Sequence, residues 1–246
     1  MLPELSDADV YRASLTVGSA SSDLPKHLRT EAESRELLQR IAGRLQASAP
    51  ALCQHAKAET CRINVTYSRD GEVNAYASGT NSVVVQRGLL DLLQSEDEVA
   101  AVVAHEFGHH LGRHIEEKKR NAAIGAMLAG LAAAGAAMAA GADGNDPGMT
   151  NAVGTWAGVG AQIGALSYSK YQEREADLLS AYLLARAGYD LHKAGHVWQV
   201  LAQLDKKKTS ASLFDTHPAG PERIAAWEKA TVEVEHSPTK LPPWKT

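Results

Sequence analysis

Aromatic residues are scarce in this chain of 246 residues, where they make up 5% of the composition against 44% for all hydrophobic residues. An excess of positive charge is also missing, since the formal net charge is -4, and this argues against nucleic acid as the main partner. The charged share of 22% is ordinary and excludes a disordered chain. The length permits a sizeable core, so we expect one domain over residues 1–236 and an extended tail over 237–246.

A leader and a cysteine-rich metal motif are lacking as well. The first residues contain no basic stretch followed by an apolar one, so no signal peptide is recognisable. A cytoplasmic location and an envelope location reached through a leader both stay open. The two cysteines, Cys53 and Cys61, form either one local disulfide or two free thiols, and they are too few to build a zinc site alone.

Two capping signatures mark the starts of helices. Thr30-x-x-Glu33 is a capping box, and the helix that follows it is expected to end before Pro50. Ser95-x-x-Glu98 is a second capping box, followed by apolar residues at helical spacing. The sequence therefore predicts one long helix in the first quarter of the chain and another that begins near residue 96.

Strand signals are confined to one region between these helices. Arg62 to Tyr67 alternates in polarity, Asp70-Gly71 is typical of a hairpin turn, and Val73 to Ala77 runs back. Val83 to Val85 indicates a third strand. We predict a small three-stranded antiparallel sheet, which is near the lower size limit for stability and must therefore lie on helices.

Two uncharged segments, over residues 122–142 and 150–169, predict an apolar helical hairpin inserted over 122–169. The first arm has about 21 residues, a length that can cross a bilayer. It is dominated by alanine and glycine, which gain little from lipid and favour close helix–helix contact. We therefore expect a hairpin that packs on protein or lies at a membrane surface rather than one that spans a bilayer.

His105-Glu106-Phe107-Gly108-His109 is an H-E-x-x-H motif. On a helix its two histidines lie one turn apart on the same face, so both imidazoles can reach one metal ion. Glu106 lies beside that face, where its carboxylate can take a proton from water at the metal. The alternative is an ordinary polar pair of histidines on an exposed helix. The motif favours a zinc peptidase with Glu106 as general base.

Catalytic zinc needs a third protein ligand, and Glu173 is the candidate. Asp177 lies one helical turn further on, where it can accept a hydrogen bond from a ligand histidine and fix its tautomer. Glu175 is a competing ligand, but it points roughly 160° away from Asp177's side of the helix at about 100° per residue. Taken alone, the segment is more typical of a charged helix surface with ion pairs within the helix.

Together, H-E-x-x-H and the downstream E-x-x-x-D resemble the HtpX-like, Oma-like and CAAX-prenyl-protease family of gluzincin peptidases. The resemblance covers about residues 30 to 230. It implies a mostly helical α+β fold of the zincin type, with the small sheet on the active-site helix. It also implies one Zn²⁺ per chain held by His105, His109 and Glu173, with Asp177 orienting a ligand histidine.

Two further matches to this family imply roles for particular residues of this chain. Asn74-Ala75-Tyr76-Ala77 resembles the edge strand above the cleft, which implies that these residues bind substrate. Thr216-His217-Pro218 with Arg223 resembles the family's threonine-histidine-proline…arginine element, which implies that His217 stabilises the oxyanion or closes the site as a fourth ligand, with Arg223 supporting it. The alternative for His217 is a histidine that caps the last helix.

The sequence thus predicts a zinc-dependent endopeptidase acting on extended segments of unfolded proteins or of membrane and envelope proteins, in the bacterial periplasm or cell envelope. A chaperone-like assembly factor of the same fold with little proteolysis is the main alternative. A structural zinc protein is another, although it would have no use for Glu106. We also predict that residues 122–169 contact a membrane surface and that nucleic acid is not a partner.

Overall fold

The chain is mostly helical with one small sheet. The computed structural model describes residues 2–19, 26–56, 58, 61–78, 82–141, 147–164, 168–206, 217 and 220–243. Within these residues the helices are α1 (Asp7–Ser19), α2 (Glu31–Ala56), α3 (Arg87–Leu92), α4 (Glu96–Leu111), α5 (His114–Ala139), α6 (Pro147–Gly164), α7 (Lys170–Arg186), α8 (Leu191–Lys206) and α9 (Pro221–His236). The strands are β1 (Asn64–Ser68), β2 (Ala75–Ser78) and β3 (Ser82–Gln86).

These elements divide into two compact units. The first comprises residues 1–112 and 169–246, and the second comprises residues 113–168. The second unit contains the predicted apolar hairpin, whose helices start earlier than expected, at His114 and Pro147. The predicted division into one domain over 1–236 and a tail over 237–246 stays a prediction. Residues 142–146, between the two helices of the hairpin, lie outside the described residues.

Both predicted capping boxes are present. At the start of α4, Ser95 Oγ accepts a hydrogen bond from the Glu98 amide, and Glu98 Oε2 accepts one from the Ser95 amide at 2.8 Å. At the start of α2, the Thr30 amide donates to Glu33 Oε2 at 2.7 Å. Each box satisfies backbone N–H groups that have no partner within the helix. The starts of these two helices are therefore fixed by local sequence.

The prediction of an antiparallel sheet is wrong. The strand order is β1-β3-β2, with β1 parallel to β3 and β2 antiparallel to it, so the sheet is mixed. Val83 and Val85 of the central strand are fully buried. An antiparallel meander would have placed β2 in the centre, whereas here β2 is an edge strand.

The error comes from the Asp70-Gly71 turn, which does not join paired strands. The Asp70 side chain accepts a hydrogen bond from the Glu72 amide at 3.1 Å, and the Asp70 carbonyl accepts one from the Gly88 amide at 3.2 Å. A Cβ atom at Gly88 would lie only 2.1 Å from the Gly71 carbonyl oxygen. The turn therefore packs against the first residues of α3, and β3 takes the place beside β1.

Helix α2 also differs from its prediction, because it continues past Pro50 to Ala56. Proline removes one hydrogen bond of a helix and disfavours its continuation. The residues beyond it are held by other contacts, since Leu52 and Cys53 are buried and Cys53 forms a disulfide with Cys61. Burial and the cross-link thus stabilise the extra turns, and the question of the two cysteines is answered in favour of the disulfide.

Helix α4 lies at the centre of the first unit. All but three of its sixteen residues are buried, and it contacts α2, α7, α8, β2 and β3. It packs tightly on α7, where a Cβ atom at Gly108 would lie 2.6 Å from the Ala176 carbonyl oxygen. A residue larger than glycine would force the two helices apart. The glycine of the H-E-x-x-H motif therefore sets the distance between the helices that carry the site.

In the second unit α5 and α6 pack on each other, with Gly130 facing Val153 and Ala157. Helix α5 is the one helix among the described residues that is long and apolar enough to cross a membrane, and only 6% of its most apolar 18-residue window is buried. One such helix is weak evidence for a span. Large apolar side chains are nevertheless exposed on this unit, namely Ile124, Met127, Leu128, Leu131, Met138 and Trp156.

We predict that Gly108→Ala destabilises the protein by about 1–3 kcal/mol, because the new methyl group overlaps α7 backbone that cannot rotate away. Gly43→Ala in α2 is the matched control, since nothing lies within 4 Å of its Cβ position and alanine favours helix. Urea unfolding of the metal-free protein measures both free energies of unfolding. Equal effects of the two substitutions would contradict this account of the α4–α7 contact.

Candidate metal centre

Helix α4 carries the H-E-x-x-H motif into the core. His105, Glu106 and His109 are each at most 2% exposed. The Nε2 atoms of His105 and His109 lie 3.1 Å apart, with the two rings edge to face. Two imidazole nitrogens at this distance need a proton or a cation between them, since their lone pairs repel. The predicted alternative of an exposed polar pair is therefore wrong.

Glu173 reaches the same point from α7. Ser169 caps this helix through a capping box with Gln172, a signal that is also present in the local sequence. The cap leaves Glu173 in the first turn, where its Oε2 lies 3.4 Å from His105 Nε2 and its Oε1 lies 3.5 Å from His109 Nε2. The competing candidate, Glu175, lies away from the cluster and lines an outer groove with Leu2 and Pro3.

His217 lies in the same cluster. Its Nδ1 is 2.9 Å from Glu173 Oε1 and 3.4 Å from His105 Nε2, and its Nε2 is 3.5 Å from Glu106 Oε1. One ligand atom from each of His105, His109, Glu173 and His217 lies within 4.8 Å of the others, and all four residues are buried. Thr216 and Pro218, which accompany His217 in the predicted element, lie outside the described residues.

The donor set fits a metal ion. Imidazole nitrogens and a carboxylate oxygen are zinc ligands, and atoms about 2.0–2.1 Å from zinc in a tetrahedron lie about 3.4 Å apart. The Nε2 atoms of His105 and His109 lie 3.1 Å apart, and the nearest Glu173 oxygens lie 3.4 Å (Oε2) and 3.5 Å (Oε1) from them, which is close to that value. Glu173 Oε2 is buried and makes no hydrogen bond within the described residues, while Arg223 Nη1 lies 3.1 Å from it. The cluster is thus arranged for a cation that would coordinate these atoms.

Asp177 and Arg223 hold the side chains of the cluster in position. Asp177 Oδ1 lies 2.8 Å from His105 Nδ1, which leaves Nε2 of that ring facing the cluster. Arg223 of α9 donates to both Asp177 oxygens at 3.0 Å, and its Nη1 lies 3.1 Å from Glu173 Oε2. One planar guanidinium therefore fixes both carboxylates of the E-x-x-x-D motif, a contact that a lysine could not reproduce.

Trp198 of α8 is part of this arrangement, and the sequence analysis missed it. The Arg223 guanidinium carbon lies 3.8 Å above the Trp198 ring, and the His105 ring lies 5.3 Å from it at its edge. A cation over an aromatic face is attracted by the electron density of the ring. The only sequence signal is an apolar residue at helical spacing, which does not distinguish a core tryptophan from one that stacks on an arginine.

Charges in the cluster shift the ionisation of its members. Burial would raise the pKa of Glu173, but Arg223 and the neighbouring histidines hold it well below its ordinary value. Burial would likewise raise the pKa of Asp177, but Arg223 and His105 lower it below its ordinary value. Burial and Arg223 would lower the pKa of His105, but Asp177 and Glu173 raise it to about 9 in the metal-free site. A metal ion must therefore displace a proton from this ring.

The predicted substrate-binding residues lie on one side of the cluster. Ala75, Tyr76 and Ala77 belong to the edge strand β2, and Asn74 precedes it. The Asn74 carbonyl accepts a hydrogen bond from the Gln86 amide at 3.0 Å, which anchors the start of β2 to β3. The Ala77 amide donates to Glu106 Oε2 at 2.8 Å. The strand thus directly contacts the carboxylate of the H-E-x-x-H motif.

Comparison with known proteins places the chain in a family. The model of peptidase family M48 matches residues 38–231, most of the chain. The chain belongs to peptidase family M48. The family resemblance that the sequence indicated is therefore confirmed, and so, at the level of the family, is the zinc metallopeptidase class. The M48 match contains every residue of the metal cluster.

Several M48 relatives are similar to this chain. Metalloprotease LoiP of Escherichia coli K12 is 31% identical over 182 residues, which are 74% of this chain and 67% of LoiP. Metalloprotease YcaL of the same strain is 29% identical over 232 residues, or 89% and 78%. The beta-barrel assembly-enhancing protease of Escherichia coli O157:H7 is 29% identical over 187 residues, but the match covers 71% of this chain and 35% of that protein. The chain therefore spans about a third of that relative.

We predict that Arg223→Lys weakens zinc binding about 10- to 100-fold, because Asp177 and Glu173 lose the planar partner that orients them. Competition with a chelator of known affinity measures the zinc dissociation constant. Lys170→Met is the matched control, since Lys170 forms an exposed ion pair with Glu222 outside the cluster and exposed pairs contribute little. Unchanged zinc affinity in Arg223→Lys would show that Arg223 does not support the ligands.

Proposed function

We propose that this M48 protein is a zinc-dependent endopeptidase in which His105, His109 and Glu173 hold the metal. The observation that supports it most is the convergence of these three buried side chains beside Glu106, a carboxylate that is free of the ligand set. A structural zinc site would need no such carboxylate. Zinc, when bound, would polarise the scissile carbonyl and make water more acidic.

Glu106 acts as the general base in this proposal. Its Oε1 is buried, makes no hydrogen bond within the described residues, and lies 3.5 Å from His217 Nε2 on the side of the cluster. From there it can accept the proton of the attacking water and then donate it to the leaving amine, which balances the hydrolysis. Asp177 keeps His105 in the tautomer that presents Nε2 to the metal.

His217 has two proposed roles. Its position 2.9 Å from Glu173 Oε1, among the other donors, favours a fourth ligand. Three protein ligands leave one coordination position for water, so a fourth protein donor closes the site. When His217 moves out of the ligand set, it can donate a hydrogen bond to the developing oxyanion instead. Arg223 supports either role through Glu173.

The proposed substrate is a polypeptide in extended conformation. The edge strand β2 lies directly beside Glu106, and an unpaired strand edge binds extended peptides through backbone hydrogen bonds. This mode favours unfolded or flexible segments. One relative is named a beta-barrel assembly-enhancing protease, which supports envelope proteins as substrates and the bacterial periplasm or envelope as the location. A cytoplasmic location is the alternative.

The assembly-enhancing activity in that relative's name also favours a second candidate function. A chaperone-like assembly factor would bind clients along β2 and cleave them rarely. It would keep the metal ligands, but it would not depend on Glu106.

We further propose that the α5–α6 unit contacts a membrane surface. Its exposed apolar side chains are accompanied by Lys118, Lys119 and Arg120, which directly precede the uncharged stretch and outnumber the adjacent Glu116 and Glu117. Basic residues beside an apolar helix suit anionic lipid headgroups, while the apolar side chains enter the acyl region. This arrangement would bring the peptidase close to membrane-protein substrates.

We predict that Glu106→Gln lowers the rate of casein cleavage at least about a hundredfold while the protein still binds near one zinc per chain, because only the base is lost. Glu175→Gln is the matched control, since Glu175 lies outside the cluster. Fluorescent casein measures cleavage, and elemental analysis measures zinc. A Glu106→Gln variant that cleaves at the unaltered rate would disprove the mechanism, as would a metal-free protein that cleaves.

We predict that Leu128→Asp with Leu131→Asp lowers binding to anionic phospholipid vesicles about tenfold or more, because two exposed apolar contacts are replaced by charges that lipid repels. Val232→Asp on α9 is the control, an equally exposed apolar residue outside this unit. Co-sedimentation with vesicles measures the binding. Equal binding by the double variant and the unaltered protein would contradict the membrane contact.

A further inference from the structure

The hydrogen bond between β2 and Glu106 uses an amide that a substrate would need. Asn74 and Gln86 are a hydrogen-bonded pair across β2 and β3, and Ala77 lies opposite Val83 in the same register. Hydrogen-bonded and non-hydrogen-bonded pairs alternate along an antiparallel ladder, so the Ala77 N–H points away from β3. It points to the free edge, which is where an added strand would pair.

The Ala77 amide provides the hydrogen bond that Glu106 accepts within the described residues, while His217 Nε2 lies further away, at 3.5 Å from Oε1. The residue is 1% exposed, and its Oε1 makes no hydrogen bond within the described residues. A buried carboxylate without donors is costly, and the 2.8 Å bond from the Ala77 amide to Oε2 is a charge-assisted one. The edge amide therefore holds Glu106 in place in the protein without substrate.

We propose that an extended peptide pairing with β2 takes the Ala77 N–H from Glu106 and thereby releases this carboxylate to act on water. The inference rests on the proposed peptidase function and adds a regulation of its general base by substrate. Ala77 is a positioning residue in this scheme, because its amide acts through Glu106.

The release of Glu106 follows because the Ala77 N–H can donate to only one acceptor at a time. A peptide carbonyl that pairs with the Ala77 N–H leaves Glu106 Oε2 without its donor, and the carboxylate must then find another hydrogen, which the attacking water supplies. No covalent bond changes in this step. The Ala77–Glu106 hydrogen bond and one between the peptide carbonyl and water are broken, and one between the peptide carbonyl and Ala77 and one between Glu106 and water are formed. A peptide too short to reach Ala77 leaves Glu106 held by the strand. Peptide length should therefore alter kcat as well as KM.

The first test measures peptide binding to the metal-free protein, where no cleavage occurs. An uncharged fluorescein-labelled octapeptide rich in valine and threonine is the probe, and anisotropy gives its Kd. Glu106→Ala removes the competing acceptor and should tighten binding about fivefold, the order of one hydrogen bond. Replacement of Ala77 by lactic acid removes the N–H, and in that background Glu106→Ala should change nothing. If Glu106→Ala gives no tightening, or an equal change in both backgrounds, the proposal is overturned.

The second test compares kcat for a short and a long version of one cleavable peptide in the zinc-loaded protein. The unaltered protein should turn over the long peptide at least several-fold faster at saturation. The lactic acid variant should raise kcat for the short peptide and remove this difference, since Glu106 is no longer held. The same replacement at Ala75, whose amide does not contact Glu106, should keep the length dependence. A lower kcat for both peptides in the Ala77 variant would show that the amide only orients the base.

Ala77→Pro provides a genetically encoded second variant, because proline is tolerated on edge strands where the N–H faces away from the sheet. Its thermal midpoint reports whether β2 remains folded. If the unaltered protein cleaves neither peptide, the proposed function fails and this inference fails with it. If the protein cleaves both and the variants leave the length dependence unchanged, the peptidase proposal stands and only this inference is wrong.

Discussion

The first unit depends on a group of charges buried at its centre. Glu106, Glu173 and Asp177 share one region with the buried guanidinium of Arg223 and with His105, whose raised pKa keeps it protonated in the metal-free site. Three formal negative charges then face two positive ones, and a divalent ion that replaces the His105 proton would make the region neutral. Buried charges are stable only when paired and hydrogen-bonded. The same imbalance that would destabilise an empty core therefore creates affinity for a metal ion.

Close packing makes this group of charges possible. The absence of a side chain at Gly108 lets α4 approach the backbone of α7, which brings the histidines of one helix to the carboxylates of the other. Trp198 then covers the Arg223 guanidinium and excludes water from it. The scarcity of aromatic residues in the sequence agrees with this close packing, because small side chains let the helices approach each other. Trp198 is an exception, since its large ring covers the Arg223 guanidinium.

The strand order decides whether β2 could bind a peptide as proposed. With β3 in the centre, β2 pairs on one side only within the described residues, and its other side faces Glu106. In an antiparallel meander β2 would have a neighbouring strand on both sides, and no edge would remain for the proposed peptide. The family resemblance predicted an edge strand while the local turn signal predicted a hairpin, and the two expectations were incompatible. Long-range pairing decided between them.

The amino-acid sequence alone determined the features that follow from local geometry. The capping boxes at Thr30 and Ser95 and the pairing of His105 with His109 follow from helical periodicity and from hydrogen bonds between residues three apart. The E-x-x-x-D motif made Glu173 a candidate ligand, but local geometry could not show which distant groups it meets. Only the tertiary structure decided the strand order, the continuation of α2 past Pro50, the disulfide, and the meeting of His217, Arg223 and Trp198 with the motif. These depend on contacts between residues far apart in sequence, which form only when the whole core packs and which no short pattern encodes.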